Sequence, residues 1–270
     1  MKFDKNLKNK ISYWYGRNGN NLQQLLVGIY LSLSHNSAFQ SIDHDFFKPI
    51  IIKKQKSFFE KTKSDIFFFE YETNEEEICE QAPMIINEFI KPSFKIEKFL
   101  KFKFDENTIV IHIRSGDLWR DNGDYNKKYV QNPLEYYLRL IKLFQRAIIV
   151  TEIDLKNPIL KVLNNDYGIP IYSSSIYNDF SILLSAKNLS SSGIGTFAIA
   201  AALLSDNLKN FYCSNLYLSE QLNPMTLKNF NFKVHMMQIH NYINHWFNNQ
   251  ENNSILLSHK DLDYNFELQN

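Results

Sequence analysis

The sequence predicts an α/β protein built as two Rossmann-like lobes. Beyond residue 106, short apolar runs alternate with helix-patterned segments, the order expected of a parallel sheet with covering helices. Residues 11–33 show the same progression once, as strand, glycine turn and helix. Between the two lies Leu100-Lys-Phe-Lys-Phe-Asp-Glu-Asn107, a change of composition that divides the chain into an N-terminal unit 1–105 and a Rossmann-type unit 106–247, followed by a polar tail 248–270.

In the first unit, residues 11–15 are β-prone. Gly16-Arg-Asn-Gly-Asn20 makes a turn, and Leu22, Leu25, Leu26, Ile29 and Leu33 recur at helical spacing. Residues 67–71 read as a second strand. The acidic run Asn74-Glu-Glu-Glu77 marks a helix N-terminus, where negative charge meets the positive end of the helix dipole. The second unit reads as strand 108–114, helix 133–144, strands 147–151 and 169–172, helix 177–185, strand 189–191, helix 196–204 and strand 211–213. Pro133 suits a first helical turn because it lacks the amide hydrogen that this position leaves unpaired. The Asn-rich tail from Asn248 is expected to fray.

The bulk properties exclude several classes. With 270 residues, 44% of them hydrophobic and 22% charged, the chain can bury a core like any soluble globular protein. Thirty Lys and Arg against 29 Asp and Glu give a net charge of +1, so no general attraction for nucleic acid or an anionic membrane is expected and an anionic ligand must be held locally. Cys79 and Cys213 stand far apart without a CxxC, which argues against a disulfide framework or structural zinc site and fits a reducing cytoplasm. No apolar run reaches membrane-spanning length, and the N-terminus has no apolar stretch of signal type. The expected location is cytoplasmic, with at most a peripheral association at the inner face of the cytoplasmic membrane.

The stretch Thr108 to Asp117 carries the most chemistry. Its apolar strand ends in His112, Arg114, Gly116 and Asp117, at the strand edge where open α/β sheets place ligands. A guanidinium fork there suits a phosphate or diphosphate. His112, one pleat repeat earlier on the same face, can orient the arginine or touch the ligand. The structural alternative is a turn in which Asp117 caps and Arg114 pairs with an acid. A second loop, Ser190-Ser-Ser-Gly-Ile-Gly-Thr-Phe197, opens an apolar helix whose first amides can bind phosphate, with Gly193 and Gly195 permitting close approach and Thr196 adding a hydroxyl. Alternatively Ser192 or Thr196 only caps that helix. Neither a Walker lysine, a nucleophile elbow nor HExxH occurs. Asp179 either N-caps the preceding helix or accepts from paired donors such as those of guanine. The early turn presents Arg17, Asn20 and Asn21 as a cation and amides. Trp119, Tyr125 and Tyr129 follow Asp117 in a polar loop, placed either to stack on a sugar or to pack.

In this order the motifs resemble those of the fucosyltransferase superfamily, which includes bacterial fucosyltransferases, core fucosyltransferases and protein O-fucosyltransferases and carries a His-x-Arg-x-Gly-Asp-like motif. The family's early Gly-x-x-Gly-Asn-Gln loop is similar to Gly16–Asn21, with Asn21 in place of glutamine. Its late Ser-Ser/Thr-Phe element is similar to Gly195-Thr196-Phe197, and Asp179 sits where relatives place a guanine-reading aspartate. The resemblance implies a two-lobed glycosyltransferase B-like fold and inverting, metal-independent transfer from GDP-fucose to a glycan acceptor in bacterial surface polysaccharide or lipopolysaccharide synthesis. No cofactor beyond the donor substrate is implied, and no nucleic acid. By the same resemblance Arg114 binds the diphosphate, and Gly195, Thr196 and Phe197 offer phosphate contacts. Asp179 then reads the base, Arg17 and Asn20 face the sugar or acceptor, and Asp117 or His112 takes the acceptor proton. Gly195 departs from the family's serine, so only its backbone amide serves there. Diphosphate contacts are common to all nucleotide sugars, which leaves open another donor on the same architecture. A non-catalytic nucleotide- or glycan-binding module is the other alternative.

Overall fold

The computed structural model describes residues 9–53, 65–66, 74–119, 127–263 and 267–269. Its contacts divide the chain into two units, one of Met1–Lys98 with Ser219–Phe230, the other of Phe99–Leu218 with Asn231–Asn270.

In the first unit β1 (Asn9–Ile11) runs parallel to β2 (Phe39–Ser41), joined by helix α1 (Asn18–Ser34), and β2 pairs antiparallel with β3 (Ile51–Ile52). Leu22, Leu25, Leu26 and Ile29, the predicted stripe, are buried. The first strand is shorter and earlier than residues 11–15, because Tyr13 is exposed and the backbone of Ser12 turns to Asp65 instead of a ladder partner. Helix α2 (Glu75–Ile85) begins at the acidic run, with Asn74 Oδ1 accepting from the Glu76 amide at 3.1 Å, and passes through a π-helical turn at Ile86–Ile90 into the single turn α3 (Lys91–Ser93). The strand expected at 67–71 lies outside the described residues. Ser219–Phe230 returns to this unit, where Gln23 clasps it by accepting from the Leu222 amide and donating to the Glu220 carbonyl.

The second unit holds β4 (Thr108–Ile113), α4 (Leu134–Ile141), β5 (Arg146–Thr151), α5 (Pro158–Asn165), β6 (Ile171–Tyr172), α6 (Ile176–Ser185), β7 (Asn188–Ser190), α7 (Phe197–Leu204), β8 (Asn210–Ser214), β9 (Lys233–Met237), α8 (Gln250–Ser258) and β10 (Glu267–Gln269). The sheet order is β10-β9-β8-β7-β4-β5-β6, with six parallel strands and β10 antiparallel at one edge. Taking β4 as the first strand of this unit, the six parallel strands follow the doubly wound order 3-2-1-4-5-6 of Rossmann folds. Every residue of β4 is buried, as a central parallel strand covered on both faces requires. Helix α7 is apolar all round and its interior is buried throughout, which the sequence Phe-Ala-Ile-Ala-Ala-Ala-Leu-Leu demands.

In the second unit α5, β9, α8 and β10 go beyond the sequence reading, as do β2, β3 and α3 in the first. Residues 248–263 are no frayed tail, because Asn249 Oδ1 caps α8 at the Asn252 amide (2.8 Å) and Leu256 joins the core cluster that holds Trp246. Among the described residues no helix is long and apolar enough to cross a membrane.

Candidate functional site

Strand order fixes where a ligand can enter. From β4 the chain steps outward through β5 to β6, then crosses back to β7 and continues through β8 to β9 in the opposite direction. The connections leaving β4 and β7 therefore diverge, and the crevice between their C-terminal ends is the ligand position of doubly wound sheets. Arg114–Asp117 follows β4 there, and Ser191–Thr196 follows β7.

Arg114 is 9% exposed, and its Nη2 donates to both carboxylate oxygens of Asp117, at 3.1 and 2.9 Å. Its Cζ stands 4.8 Å from the centroid of the Tyr129 ring. The structural alternative considered from sequence is thus partly met: the acid partner of Arg114 is Asp117 itself. Nε, however, is buried without a hydrogen-bond partner in the protein.

The second loop is stitched down from beneath. Asn132 donates from Nδ2 to the Ser191 carbonyl (3.2 Å) and accepts from Ser214 Oγ (2.6 Å), while Gln131 Nε2 reaches the Ile194 carbonyl (3.2 Å). Gly193 has φ +88°, and a Cβ there would lie 3.0 Å from Asn132 Oδ1, so conformation and space both demand glycine. Ser192 does not cap α7: its Oγ is buried and without a partner. Thr196 occupies the N-cap position but makes no side-chain cap bond to α7, and residues 195–197 stay partly exposed. A Cβ built on Gly195 would lie 3.6 Å from Ser192 Oγ and 4.0 Å from Arg114 Cδ. The two loops therefore converge at Gly195.

Unpaired buried polar atoms mark this edge. Arg114 Nε, Thr151 Oγ1, Ser173 Oγ and Ser192 Oγ lack protein partners, and they stand at or just beyond the C-terminal ends of β4, β5, β6 and β7. Buried polar atoms in native proteins are nearly always bonded, so these four are open to a ligand or water, as are Tyr137 Oη, Tyr242 Oη, Asn253 Oδ1 and His259 Nε2 elsewhere in the unit. At the opposite rim a groove of about 970 Å³ is lined by Phe102, Phe104, Arg146, Lys187 and Tyr172 among others, but Arg146 pairs with Asp105, Lys187 with Glu106, and none of its lining residues holds such an atom.

The N-cap of α6 is Ser175, whose Oγ accepts from the Asn178 amide at 3.2 Å. Asp179 lies one turn further and takes the Ser174 amide at 3.1 Å, fastening the loop after β6. Burial pushes its carboxyl above the usual carboxylate range, against the lowering effect of that hydrogen bond, with a smaller upward push from Glu152. His112 is buried with its ring 5.3 Å from that of Phe197, so it supports the start of α7 from below. Trp119 is no sugar platform: it is 5% exposed and packs on Trp246 at 5.2 Å. Tyr125 lies outside the described residues.

Arg17 and Asn20 belong to the first unit. Gly16 has φ +72°, and a Cβ there would collide with the Asn20 amide. Arg17 is exposed at the N-cap of α1 and its carbonyl accepts from the Asn20 amide at 2.8 Å. Asn21 is structural, donating to the Tyr15 carbonyl (2.8 Å) and accepting from His44 Nε2 (3.1 Å). One sheet edge of the second unit therefore gathers Arg114, Asp117, Asp179, Gly195, Thr196 and Phe197, with His112 beneath. Sequence reasoning missed Tyr129 as the bed of Arg114, and the unpaired hydroxyls of Thr151 and Ser173. Among the described residues, no three His, Cys, Asp or Glu side chains gather as a metal-binding group.

No model of a known protein family matches the chain, and neither does any curated protein or solved structure.

Proposed function

We propose that the chain is an inverting, metal-independent glycosyltransferase of glycosyltransferase B-like, two-lobed type, moving a sugar, with GDP-fucose the best candidate, onto a glycan acceptor. The observation that carries the reading is the convergence of Arg114 and the start of α7 at Gly195, within the doubly wound switch-point crevice. The motif resemblance supplies the reaction class, and the chemistry of these groups is consistent with it.

In such a transfer the bond from the anomeric carbon to the diphosphate breaks and its electron pair leaves with the nucleotide. The acceptor oxygen bonds to that carbon from the opposite face and gives up its proton. The demanding part is the charge that develops on the departing diphosphate. A guanidinium held in place by Asp117 and Tyr129, together with first-turn amides of α7, meets that charge with groups already oriented. Unpaired Nε of Arg114 and Oγ of Ser192 add donors at the same point. Asp117 suits the part of proton acceptor better than His112, because 34% of its side-chain surface is open while His112 lies under Phe197. Asp179 is proposed to read the base.

Gly195 favours keeping a second donor in view. Without the family's serine hydroxyl, residue 195 offers only its backbone amide, a contact that any nucleotide sugar can use. A thermal-shift screen of GDP-fucose, GDP-mannose, UDP- and CMP-sugars, followed by transfer assays with and without EDTA, tests the proposal. The expected result is selective stabilisation by a guanine donor and EDTA-insensitive turnover. Stabilisation by GDP with no transfer or hydrolysis would favour a binding module, and no response to any nucleotide would overturn the reading.

A further inference from the structure

We infer that Glu152 is a positioning residue for Arg114, setting the loop that carries the guanidinium. The inference rests on the proposed diphosphate site and adds to it a residue group, at the end of the neighbouring strand, that the motif does not contain. Strands β4 and β5 pair with Ile113 opposite Thr151, so the residues that follow, Arg114 and Glu152, leave the sheet side by side. Gly116 turns the β4 loop through a left-handed conformation (φ +69°), and its amide and that of Ser115 are taken by side chains of the β5 loop. Glu152 Oε2 accepts from the Ser115 amide at 2.5 Å, a short charge-assisted bond. Asp154 Oδ1 accepts from the Gly116 amide at 2.9 Å. Asn157 caps α5 with Oδ1 and uses Nδ2 to hold the Arg114 carbonyl at 3.0 Å, while its own amide donates to Ser115 Oγ at 3.0 Å.

Four hydrogen bonds thus tie Arg114–Gly116 to one segment, 152–157, three of them through the loop backbone and one through the Ser115 hydroxyl. Asp117 and Tyr129 then fix the side chain's far end. A guanidinium anchored at both backbone and tip points Nε and its remaining edge in one direction, which is what a site that stabilises developing charge requires. Glu152 is the tightest of these ties and the one adjoining Ser115, the residue next to Arg114. Asp154 is exposed, which makes it the weaker tie.

Two variants separate reach from charge. Glu152→Gln retains an acceptor at the same distance without the charge, and Glu152→Asp retains the charge but withdraws it by one methylene. The readouts are binding of GDP and of inorganic diphosphate by calorimetry, hydrogen exchange at the Ser115 amide, thermal stability, and kcat apart from KM for transfer. Glu152→Gln is expected to keep near wild-type binding and turnover. Glu152→Asp is expected to fold, to exchange the Ser115 amide faster and to weaken diphosphate binding by about 10- to 100-fold, by analogy with the loss of a group that orients a metal ligand. Wild-type behaviour of Glu152→Asp, or equal damage by both variants, would overturn the positioning role while leaving the diphosphate site standing. If the wild-type protein binds neither probe, the proposed function itself fails and takes the inference with it.

Discussion

The Arg114 guanidinium lies against the face of Tyr129, with Cζ 4.8 Å from the ring centroid, while Asp117 holds the same group from the side. The ring has a negative face and cannot form an ion pair, so it steadies the cation without neutralising it. A second carboxylate in its place, beside Asp117, would leave the cation less charge for an incoming phosphate. Replacing Tyr129 with Leu is therefore expected to weaken GDP binding by about 1 kcal/mol, roughly fivefold in Kd, while Phe preserves it. Calorimetric titration of the two variants checks this, and equal losses in both would show that the hydroxyl and not the ring face matters.

Arg114 itself has a stricter requirement. Lysine brings a single point charge that cannot hold Asp117 through Nη2 and still present Nε to a ligand. Both Arg114→Ala and Arg114→Lys are expected to lose about 3 kcal/mol or more of transition-state stabilisation, with circular dichroism unchanged. Measured kcat/KM for transfer decides it, and turnover in the lysine variant close to wild type would remove the bidentate role.

The two glycines of the α7 loop should respond in opposite ways to substitution. Gly193 combines φ +88° with a Cβ position 3.0 Å from Asn132 Oδ1 and 3.2 Å from its amide nitrogen, so Gly193→Ala is expected to cost about 2 kcal/mol of stability. Gly195 has no positive φ, and its nearest neighbours to a new Cβ are at 3.6 and 4.0 Å, ordinary contact distances. Gly195→Ser should fold normally and place a hydroxyl beside Ser192 and Arg114, tightening diphosphate binding by about 1 kcal/mol. Urea unfolding and GDP titration of the pair provide the comparison. A destabilised Gly195→Ser protein with unchanged affinity would mean that the loop does not face a ligand.

What the sequence makes legible here are the features that local chemistry dictates. Strand β4 is recognisable because six consecutive residues are buried on both faces, and α7 because its apolar run follows a glycine loop directly. What stayed hidden depends on partners far along the chain. Trp119 reads as a loop aromatic until Trp246 is known to pack on it. Glu152, Asp154 and Asn157 acquire meaning only once β5 is placed beside β4 in a register that sets Thr151 against Ile113. Helix α8 has too few apolar residues for periodicity to show, and Asn249 as its cap was the only local cue. From sequence Asp179 is a candidate cap, and it does fasten a loop, though Ser175 holds the cap position.

A last prediction concerns acid. In the first unit His44 accepts the Phe46 amide on Nδ1 at 3.0 Å, so its proton sits on Nε2 and is donated to Asn21 Oδ1 at 3.1 Å. Phe47 stacks on the ring and Trp14 meets it edge-on. Burial pushes the imidazole down to about 4, with Asp45 and Asp43 pulling it upward and Lys95 and Lys98 adding to the fall. A second proton would also set Nδ1–H against the Phe46 N–H. Because the folded value lies below the unfolded one near 6.5, the unfolded chain binds more protons throughout the interval between them. The contribution of His44 to stability is therefore complete above about pH 6.5 and is lost as the pH falls toward 4. Allowing for the ring's partial access to solvent, the loss is on the order of 2 kcal/mol. Asp179, shifted upward, acts with the opposite sign, so the difference between wild type and His44→Gln isolates the histidine. Urea midpoints across this pH interval should fall with acid more steeply in the wild type than in the variant. Parallel curves would mean that the imidazole takes up its proton without leaving the Asn21 and Phe46 partners.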